Sequence, residues 1–302
     1  MRKGFTEKDV TEQNGKTIVI TGSNTGLGYE AARVLSARGA RVIIACRSQE
    51  KAADAMARIE KANGKVDVAH IPLDLGNLAS IKSCAKQLNK EKKIDILINN
   101  AGIMIPPYEL TQDGFESQFG VNHLGPFALT ALLLEKLSAA PNPRVVNTSS
   151  IAHRSGKIRF DDINADRGYN PVARYAMSKV ANLLFTYELQ RRLDSAAIPT
   201  LSVACHPGIA DTELSRYVPG YLRLVVPIVR PFFNTSASGA WPTLLATTSD
   251  TAKSGDYFGP AKRRETAGPA VKVRSNQYSH NQEVAARLWD VSVEMTGIDP
   301  GI

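Results

Sequence analysis

Between residues 17 and 205 the chain repeats one alternation: a short, β-branched apolar run followed by a longer stretch of helical periodicity. The runs at 17–21, 41–45, 66–71, 94–98, 144–148 and 200–204 read as strands, and the stretches at 27–38, 48–62, 77–90, 113–137 and 173–193 as helices. Strands separated by whole helices pair in parallel, and a parallel sheet is covered on both faces, which is why its strands are apolar almost throughout. The pattern therefore predicts an α/β fold with a doubly wound parallel sheet. Gly39 and Gly64 stand where glycines close helices. No repeat, low-complexity tract or polar linker divides the 302 residues, so a single domain spanning 1–302 is expected.

Beyond residue 205 the pattern changes. Residues 218–233 are rich in Pro, Leu, Val, Ile and Phe but broken by Pro219, Gly220, Arg223, Pro227 and Pro231. That composition suits an apolar substrate flap near 213–236, with a buried helix pair or a peripheral membrane contact as open alternatives. From Asp256 the chain adds a short apolar run and a helix over Gln282–Thr296, a C-terminal helical extension.

Charge and composition exclude several classes. The net charge is +8, but three consecutive basic residues occur only at Lys262–Arg263–Arg264, which reads as a solvated turn; no nucleic-acid partner is expected. Cys46, Cys84 and Cys205 form no C-x-x-C pair, and His70, His123, His153, His206 and His280 show no ligand spacing, so neither disulfides nor a metal are expected. No segment supplies the roughly 18 apolar residues of a membrane span, and the first sixteen residues are polar. A soluble protein of the reducing cytoplasm is the expectation.

The first strand runs directly into Thr21–Gly22–Ser23–Asn24–Thr25–Gly26–Leu27–Gly28 and then a helix. Glycines at such a junction let backbone approach a pyrophosphate, and helix N-terminal N–H groups face its charge. The spacing G-x-x-x-G-x-G departs from the G-x-G-x-x-G fingerprint, but its place at the first strand–helix junction is the one the physics requires. The second strand ends Ala45–Cys46–Arg47–Ser48, with no acid to hold a ribose 2′-hydroxyl. Arg47 instead offers a guanidinium fork to a 2′-phosphate, so NADP(H) is expected over NAD(H), which stays open.

Tyr175 and Lys179 lie four residues apart on a stretch whose apolar side is Val180, Leu183 and Leu184, so one helix face carries a phenol and an ammonium. A cation favours the phenolate, drawing a tyrosine below its ordinary pKa of about 10 and fitting it for proton transfer near neutral pH. A G-x-S-x-G elbow is missing, which leaves a serine hydrolase no foothold.

With these motifs, and with Asn99–Asn100–Ala101–Gly102, Val121–Asn122–His123, Ser149–Ser150 and His206–Pro207–Gly208 in the same order, the chain resembles the short-chain dehydrogenase/reductase family over about residues 15–260. The resemblance implies a Rossmann-type sheet of about seven strands and NAD(P)(H)-dependent hydride transfer between an alcohol and a carbonyl. It implies catalytic roles for Asn122, Ser150, Tyr175 and Lys179. It places Gly22, Asn24, Gly26, Leu27, Gly28 and Arg47, together with Asn100, Ala101 and Gly102, around the adenosine and pyrophosphate. Asp74 and Leu75 would flank the adenine, while Pro207, Gly208, Ile209 and Thr212 would hold the nicotinamide, with Tyr175 and Lys179 at its ribose.

Ser150 and Tyr175 are 25 positions apart, more than in most of the family, and the insertion at 152–160 looks like that of retinol dehydrogenase-like members. Such relatives imply a small lipophilic substrate: an alcohol, aldehyde or ketone, retinoid- or steroid-like or smaller. A light-dependent protochlorophyllide reductase-like enzyme and a non-catalytic NADP-binding sensor stay open beside this reading. The family's habit of pairing through its long helices, here 113–137 and 173–193, implies a homodimer or homotetramer.

Overall fold

A computed structural model describes residues 4–209 and 234–302; Thr212 and the apolar run 218–233 lie outside the described residues. Eight strands form one sheet: β1 Thr17–Thr21, β2 Arg41–Cys46, β3 Val68–Pro72, β4 Ile96–Asn99, β5 Arg144–Thr148, β6 Leu201–Cys205, β7 Tyr257–Lys262 and β8 Ala267–Val273. Their order is β3-β2-β1-β4-β5-β6-β7-β8. The first seven run parallel, and β8 closes the edge antiparallel to β7. The sheet is thus one strand larger than expected, because the tail after Asp256 doubles back at a turn over residues 263–266. Arg263 and Arg264 of the basic run lie in this exposed turn, and Lys262 ends β7.

Alternation along the strands divides the core into two layers. Ile18, Ile20, Val42, Ile44, Ile96 and Ile98 face α1 Gly26–Ala37 and α2 Gln49–Asn63. Val19, Ile43, Leu97 and Val145 face the opposite layer, which contains α3 Leu78–Leu88 and the longer helices that follow. The stretch expected to be helical over 113–137 begins later. Gly114 takes a left-handed φ of 81°, and the Glu116 carboxylate accepts the N–H groups of Gln118 and Phe119 to start α4 Ser117–Phe119. A π-helical turn, Gly120–Leu124, then leads into α5 Gly125–Ser138.

Helix α6 Pro171–Ser195 is buried on every side from residue 174 to 190. Two pieces of chain, one before it and one after it, cover it. The segment after β5 is fastened by a buried Arg174–Asp162 ion pair of 2.6 Å and by Ile158 N–H donating to the Tyr278 hydroxyl. After α7 Ser236–Gly239 and α8 Trp241–Thr248, the terminal helix α9 Gln282–Thr296, found at the boundaries its periodicity predicts, lies along the outside. Its Trp289 ring stands 5.2 Å from Phe127 and 6.0 Å from Phe185, with the Arg192 guanidinium 4.4 Å above it. Its Ser292 hydroxyl meets His123 at 2.9 Å. Among the described residues, the chain's own tail thus packs along the helix that spans 173–193.

The strand order reverses between β1 and β4, and open α/β sheets bind ligands outside the carboxyl ends of their strands at such a point. The glycine turn, Arg47, Asp74–Leu75, Asn100–Ala101–Gly102, Ser149–Ser150 and Pro207–Gly208 all follow strands at that end. Among the described residues no helix is long and apolar enough to cross a membrane.

Candidate active site

At the tip of β1 the glycine turn is pressed against the turn after β4. The Thr21 hydroxyl accepts the N–H groups of Asn100 and Ala101, both at 3.0 Å, and the Asn100 amide donates to the Thr21 carbonyl at 2.9 Å. Gly22 has φ +66°, and a Cβ there would lie 2.8 Å from that of Ala101; one on Gly28 would lie 2.5 Å from the Asn100 amide. Side chains at either position would push the two turns apart, so the glycines keep bare backbone at the start of α1. Gly26 (φ +60°) opens that helix, with Leu27 beside it, and the Asn24 carbonyl is held by Arg58 at 3.3 Å. Thr21 and Arg58 are additions to the residues expected here. Thr21 is legible as the residue before the first glycine, whereas Arg58 comes from a different helix and leaves no signal near the motif.

Arg47 is exposed immediately after β2, and β2 neighbours the glycine turn, since the Gly22 N–H donates to the Ala45 carbonyl at 2.8 Å. Asp74 and Leu75 follow β3. The Asp74 carboxylate accepts the Gly76 N–H at 2.9 Å, and Leu75 is packed into the core beneath Gly125.

The other half of the site assembles around the end of β5. The two serines separate cleanly. Ser149 is buried and its hydroxyl donates to the Lys179 carbonyl at 2.8 Å, which commits it to helix α6. Ser150 is half-buried, and its hydroxyl caps the short 3-10 turn Ile151–Ser155 by accepting the Ala152 N–H at 3.2 Å. Tyr175 and Lys179 share one face of α6, the ammonium 5.6 Å from the phenol ring centre. Lys179 Nζ donates to the Thr148 carbonyl at 3.3 Å, and the Asn182 amide donates to that same carbonyl at 3.0 Å. Asn182 was not expected; it lies nearly one turn beyond Lys179 on the face the motif defines.

Asn122 sits in the π-helical turn, a device that re-aims backbone and recurs at functional sites. Its side chain bridges Ile103 N–H at 2.8 Å, Ile103 carbonyl at 2.9 Å and the Ser178 hydroxyl at 2.9 Å. A Cβ on Gly102 would stand 3.0 Å from Asn122 Oδ1 and 3.3 Å from Lys179 Nζ, so the β4 turn, the π turn and α6 converge at this glycine. Residues 207–209 leave the end of β6. Asn234 holds this segment by donating to the Pro207 carbonyl and, through its own N–H, to the Ile209 carbonyl. Thr212 lies outside the described residues.

Comparison with known proteins accounts for this arrangement. The profile of the short chain dehydrogenase family matches residues 16–219. The chain belongs to the short-chain dehydrogenase family. Within it, mouse retinol dehydrogenase 12 is 44% identical over 288 residues, covering 94% of this chain and 87% of its own length. Human retinol dehydrogenase 13 is 43% identical over 296 residues with similar coverage. A solved structure of an uncharacterised protein from Mycobacterium paratuberculosis superimposes with a TM-score of 0.83 at 39% identity, covering 99% of this chain and all of its own. This short-chain dehydrogenase is thus a retinol dehydrogenase-like oxidoreductase acting on CH–OH donors, and its sheet is the Rossmann sheet of that family.

Proposed function

We propose that this short-chain dehydrogenase transfers hydride between NADP(H) and a lipophilic alcohol, aldehyde or ketone, retinoid- or steroid-like or smaller. The observation that carries the reading is the meeting of Lys179 with both Tyr175 and the carbonyl of Thr148, two residues before Ser150, at the carboxyl end of the sheet. A glycine cradle that side chains would fill, at Gly22 and Gly28, suits a pyrophosphate, and Arg47 supports the choice of NADP(H) over NAD(H). The identities to retinol dehydrogenases favour a lipophilic substrate.

Bound there, the nicotinamide supplies or accepts the hydride. Asn100, Ala101, Gly102, Asp74 and Leu75 would hold the adenosine side, and residues 207–209 with Thr212 the nicotinamide side. Tyr175 delivers a proton to the carbonyl oxygen during reduction and removes it during oxidation. Ser150 donates a hydrogen bond to that oxygen as negative charge grows. Lys179 favours the phenolate and carries protons away from it, with Asn122 steadying the path through the β4 turn. The test is turnover of NADPH and NADH with carbonyl compounds graded by apolar size, for wild type and Tyr175→Phe. The wild type should prefer NADPH and larger apolar substrates, and the variant should lose about 10²–10⁴-fold in rate while still binding NADPH. Near-normal turnover by Tyr175→Phe would overturn the assignment.

A further inference from the structure

Behind the two halves of the site lies a set of side chains that the reaction as described does not use. The Glu265 carboxylate accepts from Arg154 Nη2 at 2.8 Å and from His206 Nε2 at 3.2 Å. Arg154 belongs to the 3-10 turn that Ser150 caps, and His206 opens the segment 206–209 proposed to hold the nicotinamide. The histidine roles follow from their partners. His206 Nδ1 accepts the Gly208 N–H at 3.2 Å, so its proton lies on Nε2, toward Glu265. His153 Nδ1 donates to the Ser150 carbonyl at 2.6 Å, while its Nε2 accepts the Asn276 N–H at 3.4 Å. Burial holds both imidazoles below their ordinary pKa, His153 at about 4. Between them stands the buried Tyr257 ring, 5.6 Å from His153 and 5.2 Å from His206.

The piece of chain that carries Glu265 is itself under constraint. Arg263, Arg264 and Glu265 have φ of 54°, 56° and 68°, three successive left-handed residues without a glycine. Such backbone persists only where its surroundings fix it, and it gathers at functional sites. Here the turn is fixed from the active-site side: the Ile209 N–H donates to the Thr266 carbonyl at 2.9 Å, and a Cβ on Gly208 would collide with that same carbonyl. Burial pushes the Glu265 carboxyl up, but its bond to His206 and the Arg154 charge outweigh this and hold it below the usual carboxylate range.

We propose that Glu265 is a positioning residue that clamps the Ser150 turn to the segment 206–209, so that the hydroxyl addressing the substrate oxygen and the backbone addressing the nicotinamide keep one spacing. The proposal rests on the functional reading above and adds a residue far along the chain from every motif of the family. A side chain that only stabilised the fold would affect all ligands alike. A clamp acts on the nicotinamide half of the dinucleotide and leaves the adenosine half alone.

The experiment uses the full-length protein and two probes, NADPH and adenosine 2′,5′-bisphosphate, which lacks the nicotinamide half. Each is titrated against wild type, Glu265→Gln, Glu265→Ala, Arg154→Met and the double variant Arg154→Met/Glu265→Ala. Glu265→Ala should weaken NADPH about tenfold or more while leaving the bisphosphate within about twofold, since bonds to a charged group are at stake. Arg154→Met should weaken NADPH in the same selective way despite lying on the serine side, and the double variant should be no worse than Glu265→Ala alone. Glu265→Gln, which keeps the shape of the side chain, supplies the measurement if the alanine variant does not fold. Equal weakening of both probes, or unchanged NADPH affinity, overturns the clamp. Failure of the wild type to bind either probe instead removes the cofactor reading, and the clamp with it.

Discussion

Around β1 and β4 the residues expected to hold the dinucleotide are fixed by glycines and by backbone partners within one pair of turns, with Thr21, Gly22, Gly28, Asn100 and Ala101 meeting each other directly. Around β5 and β6 the residues proposed to be catalytic are fixed by side chains arriving from far along the chain. Arg154 reaches Glu265, His153 reaches Asn276, and His123, next to Asn122, reaches Ser292. The first end needs room for bare backbone, and its tolerance is set by sterics. The second needs orientation, and its tolerance is set by packing and hydrogen bonds that only the complete fold supplies. Damage far from the chemistry should therefore be felt at the second end more than at the first.

The strongest test of that contrast is Trp289→Ala. The ring is buried against Phe127 and Phe185 on a helix that touches no proposed ligand. Its loss should lower the unfolding free energy by about 3–5 kcal/mol. Denaturant unfolding reads this, and a cost below about 1 kcal/mol would show that the tail is an ornament of the fold.

A second test uses pH. His123 and His153 are buried neutral, their pKa values lowered by desolvation to about 3 and about 4. Because the folded values lie below the unfolded value, the unfolded chain binds protons first. The stability from these histidines is complete above about pH 6.5 and is lost as pH falls from there toward 4, on the order of 3 kcal/mol for each by pH 4. Melting temperature should fall across that window. In His153→Asn the slope should be shallower, and an unchanged slope would contradict the assignment.

The smallest expected effect sharpens the contrast from the other side. Arg47 is exposed, so Arg47→Ala should leave stability and Tyr175 chemistry alone. The ratio of kcat/KM for NADPH over NADH should fall about 10- to 150-fold, the equivalent of the roughly 1.5–3 kcal/mol of a hydrogen bond to a charged group. An unchanged ratio would remove Arg47 from the cofactor site.

What was legible in the sequence follows the same division. The sheet was readable through β6 because each strand is a continuous apolar run, and the glycine turn because its geometry admits few other residues. Tyr175 and Lys179 were readable because helix periodicity places them on one face. The choice between the two serines rests on resemblance, and their hydroxyls differ in partner, the Lys179 carbonyl for Ser149 and the Ala152 N–H for Ser150. Strand β8 went unseen because Gly268 and Pro269 interrupt its apolar pattern, while its pairing with β7 is set by the turn before it. Glu265 and Asn276 carry no local signal at all: they act across sequence separations that no spacing rule spans. The π-helical turn at Asn122 was likewise hidden in an unbroken helical pattern.

Helix α9 lying along α6 has a consequence for how this enzyme can vary. A surface that pairs with a copy of itself must obey a two-fold axis, so each substitution there is felt twice and its complement must come from the same sequence. Trp289 and its neighbours escape that rule: the two sides of the contact can diverge independently. They are also tethered, and tethering keeps their local concentration constant however dilute the molecule becomes.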